Sequence, residues 1–220
     1  MMKRTESAFT LLETTLAISV IAIMGLTAAG VSMALSNSYH GSKDYYQCVQ
    51  VSRVALVRLS NALRSAELVT DASSDSVMIW RDDTNDDGQI NASELSVIYL
   101  DSESECILQD SIVFPEAWTD SQKAIFDGTF PLASATLSVW ASVQNSIYLT
   151  STPMAEGIEA FAVQVSPAAP LTKMVAFQMT VGNEGKSLTS REAVTIRAGQ
   201  VDRVVWGGTE YTLPSDDDDD

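Results

Sequence analysis

Residues 3–35 read KRTESAFTLLETTLAISVIAIMGLTAAGVSMAL, an apolar run that follows two basic residues. Its uncharged part, residues 14–35, is 22 residues long and forms about 33 Å of helix at a rise of about 1.5 Å per residue. A bilayer core is about 30 Å thick, so the run predicts a membrane-spanning helix. Because Lys3 and Arg4 precede it, we expect the N-terminus in the cytoplasm and the rest of the chain outside.

The run carries one carboxylate, Glu13, close to its start. A carboxylate at the centre of a bilayer costs about 2.5 kcal/mol or more, which makes Glu13 a candidate functional residue. A secretory signal peptide is a competing interpretation, but its apolar core has only about 7–15 residues. The present run is longer, and Glu13, Thr14 and Thr15 lie in its first third. We therefore expect a retained membrane helix.

The motif ESAFTLLETTLAI, residues 6–18, resembles the prepilin cleavage and methylation motif of type IV pilins and type II secretion pseudopilins. The resemblance implies a leader peptide, residues 1–8, and cutting between Ala8 and Phe9 by a prepilin peptidase on the cytoplasmic side. It also implies methylation of the new Phe9 amine. The family usually has glycine before the cut, and because Ala8 is still small we expect processing at a lower rate.

The same resemblance implies a role for Glu13 in subunit assembly. In a filament, Glu13 of one subunit comes beside the Phe9 amine of its neighbour, and each charge relieves the desolvation cost of the other. The alternative is that Glu13 only reaches back to the cytoplasmic interface, since it lies four residues after the expected cut.

After the apolar run, the pattern predicts that the helix continues and then gives way to strands. Apolar and small residues recur at three- and four-residue steps, which predicts one buried helical stripe. The stripe contains Tyr45, Cys48, Val49, Ser52, Ala55, Leu56, Leu59, Ala62, Leu63 and Ala66. We therefore expect one helix from about residue 9 to 67, with a transmembrane half, 9–35, and a packed half, 36–68.

The rest of the chain predicts a β-rich domain, residues 69–205, and an acidic tail, 206–220, that ends in five aspartates. Strands are expected where β-branched or aromatic runs lie between turn residues: 76–80, 95–100, 105–109, 137–143, 158–166, 173–182 and 191–199. A short helix is expected near residues 115–126, with Pro115 in its first turn. The predicted class is α+β, with a long N-terminal helix against an antiparallel sheet. The motif and this pattern together resemble the pilin fold, and the later strands resemble J-type minor pseudopilins.

An acidic loop, DDTNDDGQINASEL at residues 82–95, fits the calcium-loop pattern D-x-[DN]-x-[DN]-G-x5-E. Calcium takes six or more oxygen ligands, and the glycine at the sixth position allows the sharp turn. The six predicted ligand positions are Asp83, Asn85, Asp87, Gln89 through its carbonyl, Asn91 and Glu94. Because the flanking runs predict strands, we expect one Ca²⁺ in an EF-hand-like loop at the end of a hairpin. The alternative is a solvated acidic turn, since Asp-Gly is a common turn pair.

Composition narrows the range of functions further. The formal net charge of −16 disfavours direct binding of nucleic acid and favours cations. Cys48 and Cys106 are too far apart in sequence for a zinc knuckle or a redox CxxC pair, and they can form a disulfide or remain two thiols. The one histidine, His40, lies just beyond the apolar run, so no hydrolase triad is expected and the protein is predicted not to be an enzyme.

These observations favour a structural subunit in the inner membrane of a bacterium, with its C-terminal domain in the periplasm. Its expected partners are a prepilin peptidase and the other pilins or pseudopilins of a type IV pilus or a type II secretion pseudopilus. The alternative is a membrane-tethered calcium-binding or ligand-binding domain that does not polymerise.

Overall fold

The structure, a computed structural model, describes residues 10–85, 87–143, 146–183, 185–197 and 200–214. One long helix is followed by antiparallel strands, so the predicted α+β class is confirmed. The chain divides into two compact units, with the boundary between Tyr46 and Gln47. Ala8, Phe9, the leader and the five terminal aspartates lie outside the described residues.

Helix α1 comprises Leu11–Ser65, a continuous helix of 55 residues. Its predicted extent is confirmed to within about two residues at the described ends. No proline interrupts it, and the chain remains helical through Gly25, Gly30 and Gly41.

The packed half of α1 buries the stripe that the sequence predicts. Six of its side chains are buried, among them Cys48, Ala55 and Leu63. Tyr45 was predicted in the stripe but is 50% exposed. It belongs to the first unit, where its ring lies edge-on to the ring of Tyr46 at 6.3 Å.

In the described part of the chain, twelve strands and two short α-helices follow α1. The strands are β1 Leu68–Ala72, β2 Ser76–Trp80, β3 Ile90–Asn91, β4 Leu95–Asp101, β5 Cys106–Ile112, β6 Thr129–Phe130, β7 Leu149–Glu156, β8 Ile158–Ser166, β9 Met174–Asn183, β10 Lys186–Thr195, β11 Val205–Trp206 and β12 Tyr211–Thr212. The helices are α2 Asp120–Phe126 and α3 Leu137–Val143.

The strands form two main sheets and two small ribbons. The first sheet has the order β1-β2-β4-β5-β7 and the second has the order β10-β9-β8, while β3 pairs with β6 and β11 pairs with β12. All of these pairs are antiparallel. The ladder from β2 to β4 pairs Trp80 with Leu95, so the acidic loop connects two adjacent antiparallel strands, as the sequence predicts.

The packed half of α1 contacts both main sheets. The Ser52 and Ser190 hydroxyls lie 2.6 Å apart, which joins the helix to β10. One turn and a half further along, the Arg58 guanidinium donates to the Met154 carbonyl of β7 at 2.9 Å. The core between these layers includes Trp80 and many aliphatic side chains that are almost fully buried.

The predicted strand at residues 137–143 is wrong, because these residues form the helix α3. Its valines and tryptophan favour strands, but the Asp71 carboxylate accepts the Leu137 N–H at 2.9 Å and so holds the first turn. The Thr136 hydroxyl accepts the Val139 N–H at 3.4 Å. Trp140, which is 2% exposed, then packs into the core. A partner 66 residues away therefore outweighs local strand preference.

Other boundaries differ more modestly. The predicted helix near Pro115 begins later, because Thr119 caps α2 and its N–H donates to the Gln122 side chain at 2.9 Å. Strand β10 begins at Lys186 rather than at residue 191. Part of the predicted tail is structured, since β11 and β12 form a hairpin in which the Trp206 and Tyr211 rings lie 4.8 Å apart.

Candidate assembly and cation-binding sites

The start of α1 places Glu13 in a capping arrangement. The Thr10 N–H and hydroxyl both donate to Glu13 Oε2, at 3.0 and 3.1 Å, and the Glu13 N–H donates to the Thr10 hydroxyl at 3.3 Å. This reciprocal pair is a capping box, in which two of the unpaired donors at a helix start find acceptors. The Thr-x-x-Glu spacing of residues 10–13 is the sequence signal that would have predicted it. Both side chains are otherwise exposed.

The first unit exposes its apolar side chains. Helix α1 contains a window that is long and apolar enough to cross a membrane, and none of that window is buried in the protein. Large side chains such as Leu12, Ile21 and Leu26 are mostly exposed. Length, composition and exposure are those of a single-pass membrane helix.

The acidic loop is ordered by its own aspartates. Asp83 accepts the backbone N–H groups of Asp87 and Gly88, at 3.2 and 2.8 Å. Gly88 has a φ of +68°, a left-handed conformation that costs glycine little. The sharp turn that the motif predicts at its sixth position is therefore present at Gly88.

Asp87 and the two loop asparagines form the centre of the loop. Asp87 Oδ1 accepts the Gln89 N–H at 2.7 Å. Asp87 Oδ2 accepts from the side-chain amides of Asn85, at 2.8 Å, and Asn91, at 3.3 Å. Asp87 thus contacts the side chains of two further predicted ligands, Asn85 and Asn91.

Glu94, the last predicted ligand, has a different environment. It is 1% exposed, and its Oε1 accepts the N–H and hydroxyl of Thr84 at 2.7 and 2.9 Å. Its Oε2 accepts the Trp80 indole N–H at 3.0 Å and the Asn91 N–H at 3.2 Å. A carboxylate has about four lone-pair positions, so these four donors occupy the acceptor capacity of Glu94.

The aspartates retain capacity that Glu94 lacks. From the described residues Asp83 accepts two hydrogen bonds and Asp87 three, each below the limit of about four for a carboxylate. The Asn85 oxygen accepts one, from the Asp87 N–H at 3.3 Å. The Asn91 oxygen also accepts one, from the Thr129 hydroxyl at 3.4 Å, so among the predicted ligand side chains Glu94 alone has its acceptor capacity occupied by the described residues.

Neighbouring polar groups join the loop to Arg81, the residue after β2, and to Asp127, the residue at the end of α2. The Arg81 guanidinium donates to the Ser93 carbonyl at 2.7 Å, and Asp127 accepts the Ser93 N–H and hydroxyl. Burial lowers the pKa of Arg81, whereas the nearby carboxylates of Glu94 and Asp82 act in the opposite direction. The partners Trp80, Arg81 and Asp127 were not predicted, since nothing in the motif indicates them.

Among the described residues, no three His, Cys, Asp or Glu side chains are grouped so as to hold a metal ion. The predicted site relies on amide and carbonyl oxygens as well as carboxylates, so it is not of that kind. Cys48 and Cys106 are both buried and both free thiols, so the predicted possibility of a disulfide is not realised. Burial, with a smaller effect of the Glu156 carboxylate, raises the pKa of the Cys106 thiol.

One buried polar cluster was missed entirely. Asp110, 1% exposed, accepts the Ser151 hydroxyl at 2.5 Å. Burial and the Asp110 charge together raise the pKa of Tyr99 to about 12. An aspartate within a strand carries no local signal of burial, because its surroundings come from β4 and β7.

A comparison of the chain with protein-family models, with curated proteins and with solved structures finds no match.

Proposed function

We propose that this chain is a structural subunit of a type IV pilus or type II pseudopilus, matured by a prepilin peptidase between Ala8 and Phe9. The first half of α1 holds it in the membrane before assembly. The observation that carries the proposal is the position of Glu13, an exposed carboxylate at the start of the exposed apolar part of α1. The chain itself supplies only Thr10 as a partner for that carboxylate among the described residues.

The exposed side chains of the first unit limit what can surround it. Apolar side chains along several helical turns need lipid or other apolar helices around them. A carboxylate in such surroundings needs a cationic partner. The freed amine of a neighbouring Phe9 meets this need, and it is itself costly in lipid. Assembly through α1 thus satisfies the apolar surface and both charges at once.

The test combines N-terminal mass spectrometry with an assay of incorporation into filaments. A mature chain that begins at methylated Phe9 supports the proposal. A chain that retains Met1, or one cut between residues 28 and 30, contradicts it. An uncut membrane-bound chain would instead support the tethered, non-polymerising domain.

Two substitutions separate capping from subunit pairing. Glu13→Gln keeps a capping acceptor but removes the charge, whereas Thr10→Ala weakens the cap and keeps the charge. We expect Glu13→Gln to lose incorporation and Thr10→Ala to retain most of it. Normal incorporation of the Glu13→Gln variant would exclude charge pairing as the basis of assembly.

We further propose that the acidic loop binds one Ca²⁺, with Asp83, Asn85, Asp87, the Gln89 carbonyl and Asn91 as ligands. Glu94 is not a ligand in this proposal, because its lone pairs are occupied by protein donors. It stabilises the loop through these hydrogen bonds. Calcium stabilises the folded form by binding it preferentially, so the thermal midpoint should rise with Ca²⁺ concentration.

Asp83→Asn should abolish that rise, and Asp120→Asn is the matched control, since Asp120 is a fully exposed aspartate outside the loop. An equal rise in both variants would show only screening of the net charge of −16. No rise in the unmodified protein would also contradict the calcium site.

A further inference from the structure

The helix does not become uniformly polar after its apolar run. Tyr39 is 70% exposed, and its ring lies edge-on to the His40 ring at 6.1 Å. Lys43, also exposed, follows four residues later and therefore lies on the same helical face as Tyr39. Within the described residues no ion pair involves Lys43.

The distance of Tyr39 and Lys43 from the end of the apolar run determines which layer of a membrane can surround their side chains. Tyr39 is four residues past Leu35, about 6 Å of helical rise, and Lys43 is about 12 Å past it. Each headgroup layer of a bilayer is about 5–8 Å thick. If the run spans the hydrocarbon core, Tyr39 lies within the outer headgroup layer and the Lys43 backbone lies just beyond it.

The direction of the Lys43 side chain places its ammonium group in the outer headgroup layer, although the Lys43 backbone lies just beyond that layer. Side chains of an α-helix tilt toward its N-terminus, and the N-terminus of α1 is the end in the membrane. The long Lys43 side chain therefore points back toward the lipid, with its methylene groups along the helix and its ammonium among the headgroups. Tyrosine is enriched at the same level, because its ring is apolar and its hydroxyl is polar.

We propose that Tyr39 and Lys43 form an anchor for phospholipid headgroups at the outer surface of the membrane. The Tyr39 ring lies at the boundary between acyl chains and headgroups, and the Lys43 ammonium binds the phosphate of an anionic phospholipid. The anchor fixes how far α1 emerges from the membrane before assembly. It rests on the membrane location given under the proposed function.

The experiment measures the depth of a spin label in vesicles that contain the full-length chain. The label is attached at Ser42→Cys, an exposed position between the two anchor residues. The native Cys48 and Cys106 are buried, and mass spectrometry confirms that they remain unlabelled. Vesicles of phosphatidylcholine are compared with vesicles that also contain phosphatidylglycerol.

We expect Tyr39→Ser to move the label toward water by about 3 Å, two residues of helical rise. Tyr45→Ser is the control, because it removes the same exposed side chain about 9 Å further from the membrane. Lys43→Gln should move the label only in vesicles with phosphatidylglycerol. Equal shifts for Tyr39→Ser and Tyr45→Ser, or a lipid-independent effect of Lys43→Gln, would overturn the anchor.

A second label, at Ala28→Cys within the apolar run, separates this proposal from the one on which it rests. An Ala28 label in the bilayer with a Ser42 label that no variant moves overturns the anchor alone. An Ala28 label in water overturns the membrane span and the anchor together. All substituted side chains are exposed, so the fold is not expected to change, and circular dichroism checks that it does not.

Discussion

Glu13 and Glu94 make the same local hydrogen bond in opposite surroundings. Each accepts the backbone N–H of the residue three positions earlier, Thr10 at 3.0 Å and Asn91 at 3.2 Å. Glu13 is exposed and bonds only to Thr10 among the described residues. Glu94 is buried and accepts three more donors, from Trp80 and Thr84. The two glutamates therefore differ in how much hydrogen-bond acceptor capacity remains for a further partner.

The difference shows that the number of protein donors around a carboxylate determines whether it stabilises the fold or can bind a further group. Four donors supplied by the protein compensate the burial of Glu94, so its charge serves the loop and the sheet. Glu13 has one residue as its partner among the described residues and lies on an apolar stretch of helix. Its remaining hydrogen-bond acceptor capacity is therefore available to a group outside the described residues.

The largest effect is expected at Glu94. Glu94→Ala leaves the buried Trp80 indole N–H and the buried Asn91 N–H without their acceptor, and should lower the free energy of unfolding by about 3 kcal/mol. Glu13→Ala is the matched control and should leave that free energy unchanged, because Glu13 has no part in the core. Urea denaturation followed by tryptophan fluorescence measures both. Equal destabilisation by the two variants would refute the contrast.

A smaller effect is expected at the turn of the acidic loop. Gly88→Ala forces an alanine into a left-handed conformation and should cost about 1 kcal/mol of unfolding free energy. Gly128→Ala is the comparison, since a Cβ there meets nothing within 4 Å and its φ is not in the left-handed region. If both variants unfold at the same urea concentration, the strain assigned to Gly88 is absent.

The smallest effect is a pH dependence at the buried cluster of β4, β5 and β7. Burial and then Asp110 raise the pKa of Tyr99 to about 12, against about 10 in an unfolded chain. The folded protein thus keeps a proton that the unfolded chain releases, and stability falls as the pH rises from about 10 to about 12. In an absorbance titration one of the six tyrosines should ionise late.

Tyr99→Phe should remove that late step and leave the other tyrosines unchanged. Asp110→Asn should bring the step to lower pH, since it removes the neighbouring charge. A titration in which all tyrosines ionise together would contradict this assignment.

Most of the sheet could be predicted because its strands alternate or are β-branched throughout. Strands β2 and β8 have their predicted bounds. Strand β7 was missed because Pro153 and a run of serine and threonine resemble a loop, although it is an edge strand of the first sheet, where proline is tolerated. The helix α3 could not be predicted, since Asp71 reaches it from another strand.

The candidate sites were predictable in part for a similar reason. Spacing alone identified the turn at Gly88 and the aspartates that bond across it. The orientation of the Glu94 side chain depends on its hydrogen bond from Trp80, and Trp80 lies on a strand that precedes the motif. A motif gives the order of ligand types along the chain, whereas the lone pairs that remain free depend on tertiary partners.

The packed half of α1 is joined to two different sheets, by Ser52 and Arg64 to β10 and by Arg58 to β7. A pull along the helix axis therefore loads these contacts together in shear. Shear across several contacts resists rupture better than peeling them one at a time.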